Sequence, residues 1–301
     1  MPRTESSRLV IAGYGDIGAR VARRIAAQQP MLAVNRRGLQ AALPQPPRLW
    51  QGGLALLGPQ LRSGDTLLWL APPPKSGLIE PNLEQALAQA PDLARVVYLS
   101  TSGVYGDCGG AWVDESRPAA PASDRARRRW AAECCLQAWA EERGVPWAVA
   151  RVPGIYGPGR LPEARIRAAK PSLSAALSPW SNRVHAEDLA AFLCLLLQQG
   201  QGVYNISDGQ PGSITEYFHA VADALGLPRV PEVSELQALT PELASYMGES
   251  RRLDIRRARA LGYQPLHTDL RAALPACVQP DLQWTESPSA EFTAVEPSAS
   301  A

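Results

Sequence analysis

Short apolar runs alternate with helical patterns through the first two-thirds of the chain. The runs fall at 9–12, 31–34, 66–70, 96–99 and 147–152, and helical periodicity is read near 16–27, 80–90, 125–143 and 186–199. Strands that are apolar throughout, separated by helices, predict a parallel sheet covered on both faces. Right-handed crossovers make it doubly wound, with a ligand crevice at the carboxyl ends of its strands. After residue 160 the pattern is less regular: a helix at 213–225, a stretch rich in Pro and Leu, the segment 251–255, and helices near 256–261 and 269–276. The expected organisation is α/β. A Rossmann-type core spans 1–160, with a strand and helix at 182–206 returning to it. A smaller C-terminal substrate lobe occupies mainly 161–279. From Pro280 to 301, Ser, Pro, Ala, Glu and Thr dominate and predict a disordered tail.

Between the first run and the first helix stands Gly13-Tyr14-Gly15-Asp16-Ile17-Gly18. In this context it reads as a dinucleotide fingerprint. Gly13 permits the tight turn, Gly15 lets the backbone approach a pyrophosphate, and Gly18 lets the helix pack closely on the strand. The unpaired N–H groups and positive dipole end of the helix favour an anion there.

Composition narrows the function classes. With 301 residues, 46% hydrophobic and 20% charged, the chain is ordinary globular material able to bury a large core. A formal charge of +1 gives no global field for nucleic acid or an acidic membrane, and the basic cluster at Arg125–Arg129 is local. The five cysteines contain no C-x-x-C pair, so packed, reduced thiols are expected and no metal site. No signal peptide is read at the start, and no apolar stretch approaches the roughly 20 residues that span a bilayer. The expected location is cytoplasmic.

Several ordered motifs together resemble the extended short-chain dehydrogenase/reductase family, the nucleotide-sugar epimerases and dehydratases and their atypical relatives. They are the glycine fingerprint, Leu99-Ser100-Thr101-Ser102-Gly103-Val104-Tyr105-Gly106, Arg151 to Gly159, Arg183-Val184-His185-Ala186-Glu187-Asp188-Leu189 and Val203-Tyr204-Asn205-Ile206, and the resemblance runs from about residue 8 to 278. It implies a Rossmann domain for NAD(P) and a smaller substrate domain. The family's catalytic set is a Ser or Thr after the fifth strand and a Tyr-x-x-x-Lys on the next helix. Thr101 matches the first, either as a donor to substrate oxygen or as a turn hydroxyl. The tyrosine and lysine positions are held by Arg125 and Arg129. Arginine stays protonated and only donates, so Arg125 cannot act as a general base, whereas Arg129 can still donate to a ribose. Tyr105 and Tyr156 are candidates to replace the phenol, or are packing residues.

After the second run, Asn35-Arg36-Arg37 stands where an acidic residue would hold the ribose of NAD, and a guanidinium fork matches a 2′-phosphate. NADP is therefore favoured over NAD. The aspartate that relatives use for adenine is replaced around Gln51–Leu54, and Leu70-Ala71-Pro72-Pro73-Pro74 is a rigid turn on the nicotinamide side. Implied cofactor contacts are Gly13, Gly15, Asp16, Ile17, Gly18, Asn35, Arg36, Arg37, Leu70, Ala71, Pro72, Ser100, Arg129 and Pro153. Implied substrate contacts are Ser102, Arg125, Gly154, Arg160 and Arg183. Gly154 replaces the asparagine usual in nucleotide-sugar epimerases, and Arg183 lies two places late for their phosphate arginine, so a nucleotide sugar is not supported. His185 and Asp188 are read as stabilising the junction between domains. The leading reading is an atypical NADP-dependent oxidoreductase or epimerase-like enzyme acting on a small polar metabolite. The rival is a nonenzymatic NADP(H)-binding redox sensor. A homodimer is left open.

Overall fold

A computed structural model describes residues 7–26, 28–35 and 38–286. Arg36, Arg37 and the tail from 287 onward lie outside the described residues. The strands used below are β1 (Leu9–Ala12), β2 (Met31–Val34), β3 (Leu39–Ala41), β4 (Arg48–Trp50), β5 (Thr66–Trp69), β6 (Arg95–Thr101), β7 (Trp147–Val152), β8 (Gly202–Asn205) and β9 (Trp284–Glu286). Seven of them pair in parallel in the order β8-β7-β6-β5-β1-β2-β4. The helices used below are α1 (Asp16–Ile25), α2 (Pro81–Ala88), α3 (Asp124–Arg143), α4 (Ala186–Gln198), α5 (Ile214–Leu225), α6 (Pro241–Met247) and α7 (Leu270–Cys277).

The strands are apolar throughout because both faces are covered. Alternate residues go to opposite cores. Leu9 and Ile11 of β1, Val97 and Leu99 of β6, and Ala148 and Ala150 of β7 pack with Ile17, Val21 and Ile25 of α1 and Leu189, Phe192 and Leu193 of α4. Val10, Ala12, Val96, Tyr98 and Val149 pack on the other face with Leu83 and Leu87 of α2 and Ala132, Leu136 and Ala140 of α3. A third core joins Tyr156 and Leu173 to Phe218 and Val221 of α5 and Leu274 of α7. Caps set the helix ends. Ser123 accepts the Ala126 N–H ahead of α3, which stops at Gly144 in the left-handed conformation, and Ser213 with Glu216 forms a capping box on α5.

The chain reverses direction across the sheet between β1 and β5, and this is where a doubly wound sheet opens its crevice. Gly13 has φ +90°, and a Cβ there would lie 2.5 Å from the Ala71 nitrogen. The loops after β1 and β5 therefore touch backbone to backbone.

The expectation of disorder from Pro280 fails over 280–286. Asp281 binds Arg20 through two hydrogen bonds of 2.8 and 2.6 Å, Leu282 packs against the first core, and β9 pairs antiparallel with β3, Trp284 opposite Ala41. Three residues of ladder and one ion pair hold a segment whose composition alone reads as loose.

Candidate active site and cofactor cleft

The glycine motif forms one wall of a first cleft, of about 730 Å³. Its lining comes from the loop after β1 (Gly13, Tyr14, Gly15, Asp16), from Val34 and Asn35 after β2, from Leu54, from Ala71 and Pro72 after β5, and from Trp284. A Cβ on Gly15 would meet nothing within 4 Å, so hydrogen there leaves room for a ligand at the first turn of α1. Gly18 does the opposite work. A Cβ there would stand 3.2 Å from Ile11 and 3.3 Å from Tyr14, so the glycine allows α1 to lie close on β1. Ile17 is buried in the core, leaving only its backbone N–H as a ligand contact. The Asp16 carboxylate is neutralised by Arg20 at 3.0 Å and Arg160 at 2.9 Å, which removes the like-charge objection to an anion at this helix end. Asn35 donates to the Tyr14 carbonyl at 2.9 Å, which ties the loop after β2 to the glycine loop. These residues fit the pyrophosphate and adenosine part of a dinucleotide. Leu70 is buried beside Gly18 and does not line the cleft.

A second cleft, of about 440 Å³, opens at the carboxyl ends of β6 and β7. Leu99, Ser100, Thr101, Ser102 and Gly103 form one side, with Arg125 and Arg129 of α3 above. Val152, Pro153, Gly154, Ile155 and Arg160 line the next side, and the smaller lobe closes the third with Trp180, Ser181, Asn182, Ile214, Tyr246, Glu249 and Arg251. Thr101 lines this cleft and holds the turn after β6. Its Oγ1 accepts the Gly103 N–H at 3.2 Å, which leaves the hydroxyl proton to donate into the cleft. Ser100 instead donates to Glu133, which also pairs with Arg151 at 2.8 Å beneath the cleft floor.

Arg129 lies between the two clefts. Its Nη1 donates to the Leu99 carbonyl at 2.7 Å, the Tyr98 hydroxyl at 3.2 Å and, at 3.4 Å, the Ala71 carbonyl, which belongs to the first cleft. Arg160 also bridges them, lining the second cleft while holding Asp16 of the first. Arg125 is exposed and lines the second cleft, whereas Arg251 is spoken for by the Gly106 carbonyl at 2.6 Å and by Glu249 at 2.7 Å.

Three of the expected catalytic and substrate residues do not line the second cleft. Tyr105 is buried, donates to Asn205 Oδ1 at 2.8 Å and carries the Arg151 guanidinium over its ring at 4.7 Å; burial pushes its phenol up to about 12. The Tyr156 hydroxyl donates to the His267 carbonyl at 3.3 Å inside the third core, and burial raises its pKa as well. Arg183 stacks on Tyr217 at 4.3 Å and lines a separate cavity with Asp208. Tyr105 lies in the turn after β6, whereas Tyr156 and Arg183 lie in two short strands, Gly154–Tyr156 and Arg183–His185, that pair in parallel. Sequence reasoning missed Tyr246, the one tyrosine lining the second cleft among the described residues, together with Glu249 and Arg251. The cluster of polar residues just after α6, in a stretch otherwise rich in Pro and Leu, was the available signal.

Fold and clefts define a Rossmann-type protein with a dinucleotide-shaped groove beside a second, arginine-lined pocket. Residues 78–207 match the NAD dependent epimerase/dehydratase family. The low-salt glycan biosynthesis protein Agl12 of Haloferax volcanii is 27% identical over 197 residues, a match that spans 62% of this chain and 61% of that protein. A conserved protein of unknown function from Silicibacter pomeroyi has a similar structure, with TM-score 0.72 and 28% identity over 90% of this chain and 98% of that one. The dTDP-glucose 4,6-dehydratase DesIV of Streptomyces venezuelae, solved with NAD and TYD bound, shares the fold at TM-score 0.73 and 22% identity over 90% of this chain and 95% of that one.

Proposed function

We propose that this chain is an NAD(P)-dependent oxidoreductase of the epimerase/dehydratase kind that acts on a small, anionic, polar metabolite. One observation carries the reading: a groove fitted to a dinucleotide and a pocket lined by Arg125, Arg129, Arg160 and Arg251 lie side by side, joined by Arg129 and Arg160. Guanidinium groups recognise carboxylate and phosphate oxygens through paired hydrogen bonds, hence an anionic substrate. A dinucleotide held along the first cleft by the Gly13–Asp16 loop would supply the hydride donor or acceptor. The relatives' tyrosine and lysine are represented by Arg125 and Arg129, which anchor rather than exchange protons. Thr101 donates a hydrogen bond to the substrate oxygen, and the phenol of Tyr246, across the same cleft, holds or returns the proton.

The arginines at 36 and 37 favour NADP through its 2′-phosphate, and the NAD-bound state of relatives such as DesIV supports the shared dinucleotide. Replacing both by Ala should weaken NADPH more than NADH in calorimetric titrations. Thr101→Ala and Tyr246→Phe should each lower kcat, the latter by about 10² or more, with NADH affinity nearly unchanged. Binding of NADH or NADPH without hydride exchange across a panel of anionic carbonyl and hydroxyl compounds would favour the sensor reading instead.

A further inference from the structure

Among the described residues, every one lining the first cleft comes from the first quarter of the chain except Trp284. It arrives on β9, whose pairing with β3 fixes its backbone, and the Gln283 carbonyl accepts the Ala42 N–H at 2.9 Å just before it. Asp281 anchors the approach to Arg20, which is fully buried on α1, the helix whose N-terminus faces the cleft. The indole meets the Tyr14 ring edge-on, with centroids 6.1 Å apart and planes at 69°. Held in this way it remains 37% exposed and lines the cleft.

Val34, Asn35 and Leu54 line the same cleft with Trp284 and carry no charge, and the Asn35 amide already serves the Tyr14 carbonyl. A wall of this kind suits a flat, weakly polar ring, and an indole offers such a ring a stacking face worth far more than an aliphatic side chain. We infer that the C-terminal strand completes the cofactor site, with Trp284 stacking on the adenine base of the dinucleotide. This inference rests on the reading of the first cleft as a dinucleotide site. It also accounts for the missing acidic partner of adenine: the base is held by its face rather than by its amino edge.

The test uses the full chain and three probes, NADH, ADP and nicotinamide mononucleotide, titrated into the parent, Trp284→Phe and Trp284→Ala. Trp284→Ala should weaken NADH and ADP alike by about tenfold or more and leave the mononucleotide unchanged. Trp284→Phe keeps an aromatic face and should stay within about threefold of the parent for all three. Losing the mononucleotide in parallel, an equal loss in the Phe and Ala variants, or tighter binding without the indole would each overturn the stacking role while leaving the cofactor reading in place. If the parent binds neither NADH nor NADPH, the cofactor reading itself fails.

Discussion

Gly13 and Gly15 sit two residues apart and carry opposite burdens. At Gly13 a side chain would need a left-handed backbone and would strike Ala71 at 2.5 Å, whereas at Gly15 it would enter open space. Gly13→Ala is therefore expected to lower the melting temperature of the ligand-free protein, at a cost of about 1–3 kcal/mol or more. Gly15→Val should melt close to the parent yet lose the stabilisation that NADH confers, about 2.7 kcal/mol at a hundred times Kd. Thermal melts with and without NADH separate the two. The tight turn at Gly13 and the open space at Gly15 were legible because the spacing fixes the backbone. The tyrosines were not, because sequence gives a phenol's position and not the direction in which a tight turn aims it: Tyr105 and Tyr156 carry the motif but point into packing, while Tyr246 faces the cleft from a segment with no motif.

Helices and strands with strong periodicity follow the pattern closely: α3 begins one residue earlier than expected and α4 ends one residue earlier. The three-residue strands β3, β4 and β9 are too short to alternate, so only the finished sheet shows them. At the start of α4, His185 accepts the Glu187 N–H on Nδ1 at 3.2 Å, and its ring stacks on His267 with centroids 3.7 Å apart. Burial, with the neighbouring His267, pushes the His185 pKa down to about 4. An unfolded histidine titrates near 6.5, so between these values the unfolded chain binds the proton first. Its contribution to stability is therefore complete above about 6.5 and is lost as pH falls toward 4. His185→Asn, which keeps a capping acceptor, should flatten the difference in melting temperature between pH 7 and pH 5 relative to the parent; an unchanged slope would mean that His185 is not the titrating group.

The whole molecule is almost neutral at +1, yet the second cleft gathers four arginines. Attraction for an anion is thus local and reaches little beyond a Debye length, about 10 Å at 0.1 M salt. Raising ionic strength from 0.05 to about 0.5 M should raise the KM for an anionic substrate and weaken pyrophosphate binding, with kcat little affected; an unchanged KM would place the substrate away from these guanidinium groups. At this scale the parallel sheet and its crevice were readable from alternating runs. The joining of two clefts through Arg129 and Arg160 was not, because it depends on contacts between residues far apart in sequence: Arg129 with Ala71, and Arg160 with Asp16.

The union of β3 with β9 also bears on amide exchange and on solubility. Among the described residues, β3 pairs with no strand other than β9, so a chain cut after residue 279 would present its backbone groups to solvent or to another molecule. Deuterium should then enter the amides of 39–41 far faster than in the full chain, and the shortened protein should self-associate at concentrations where the parent does not. The last strand is thus a cover for a sticky border as much as a wall for a ligand.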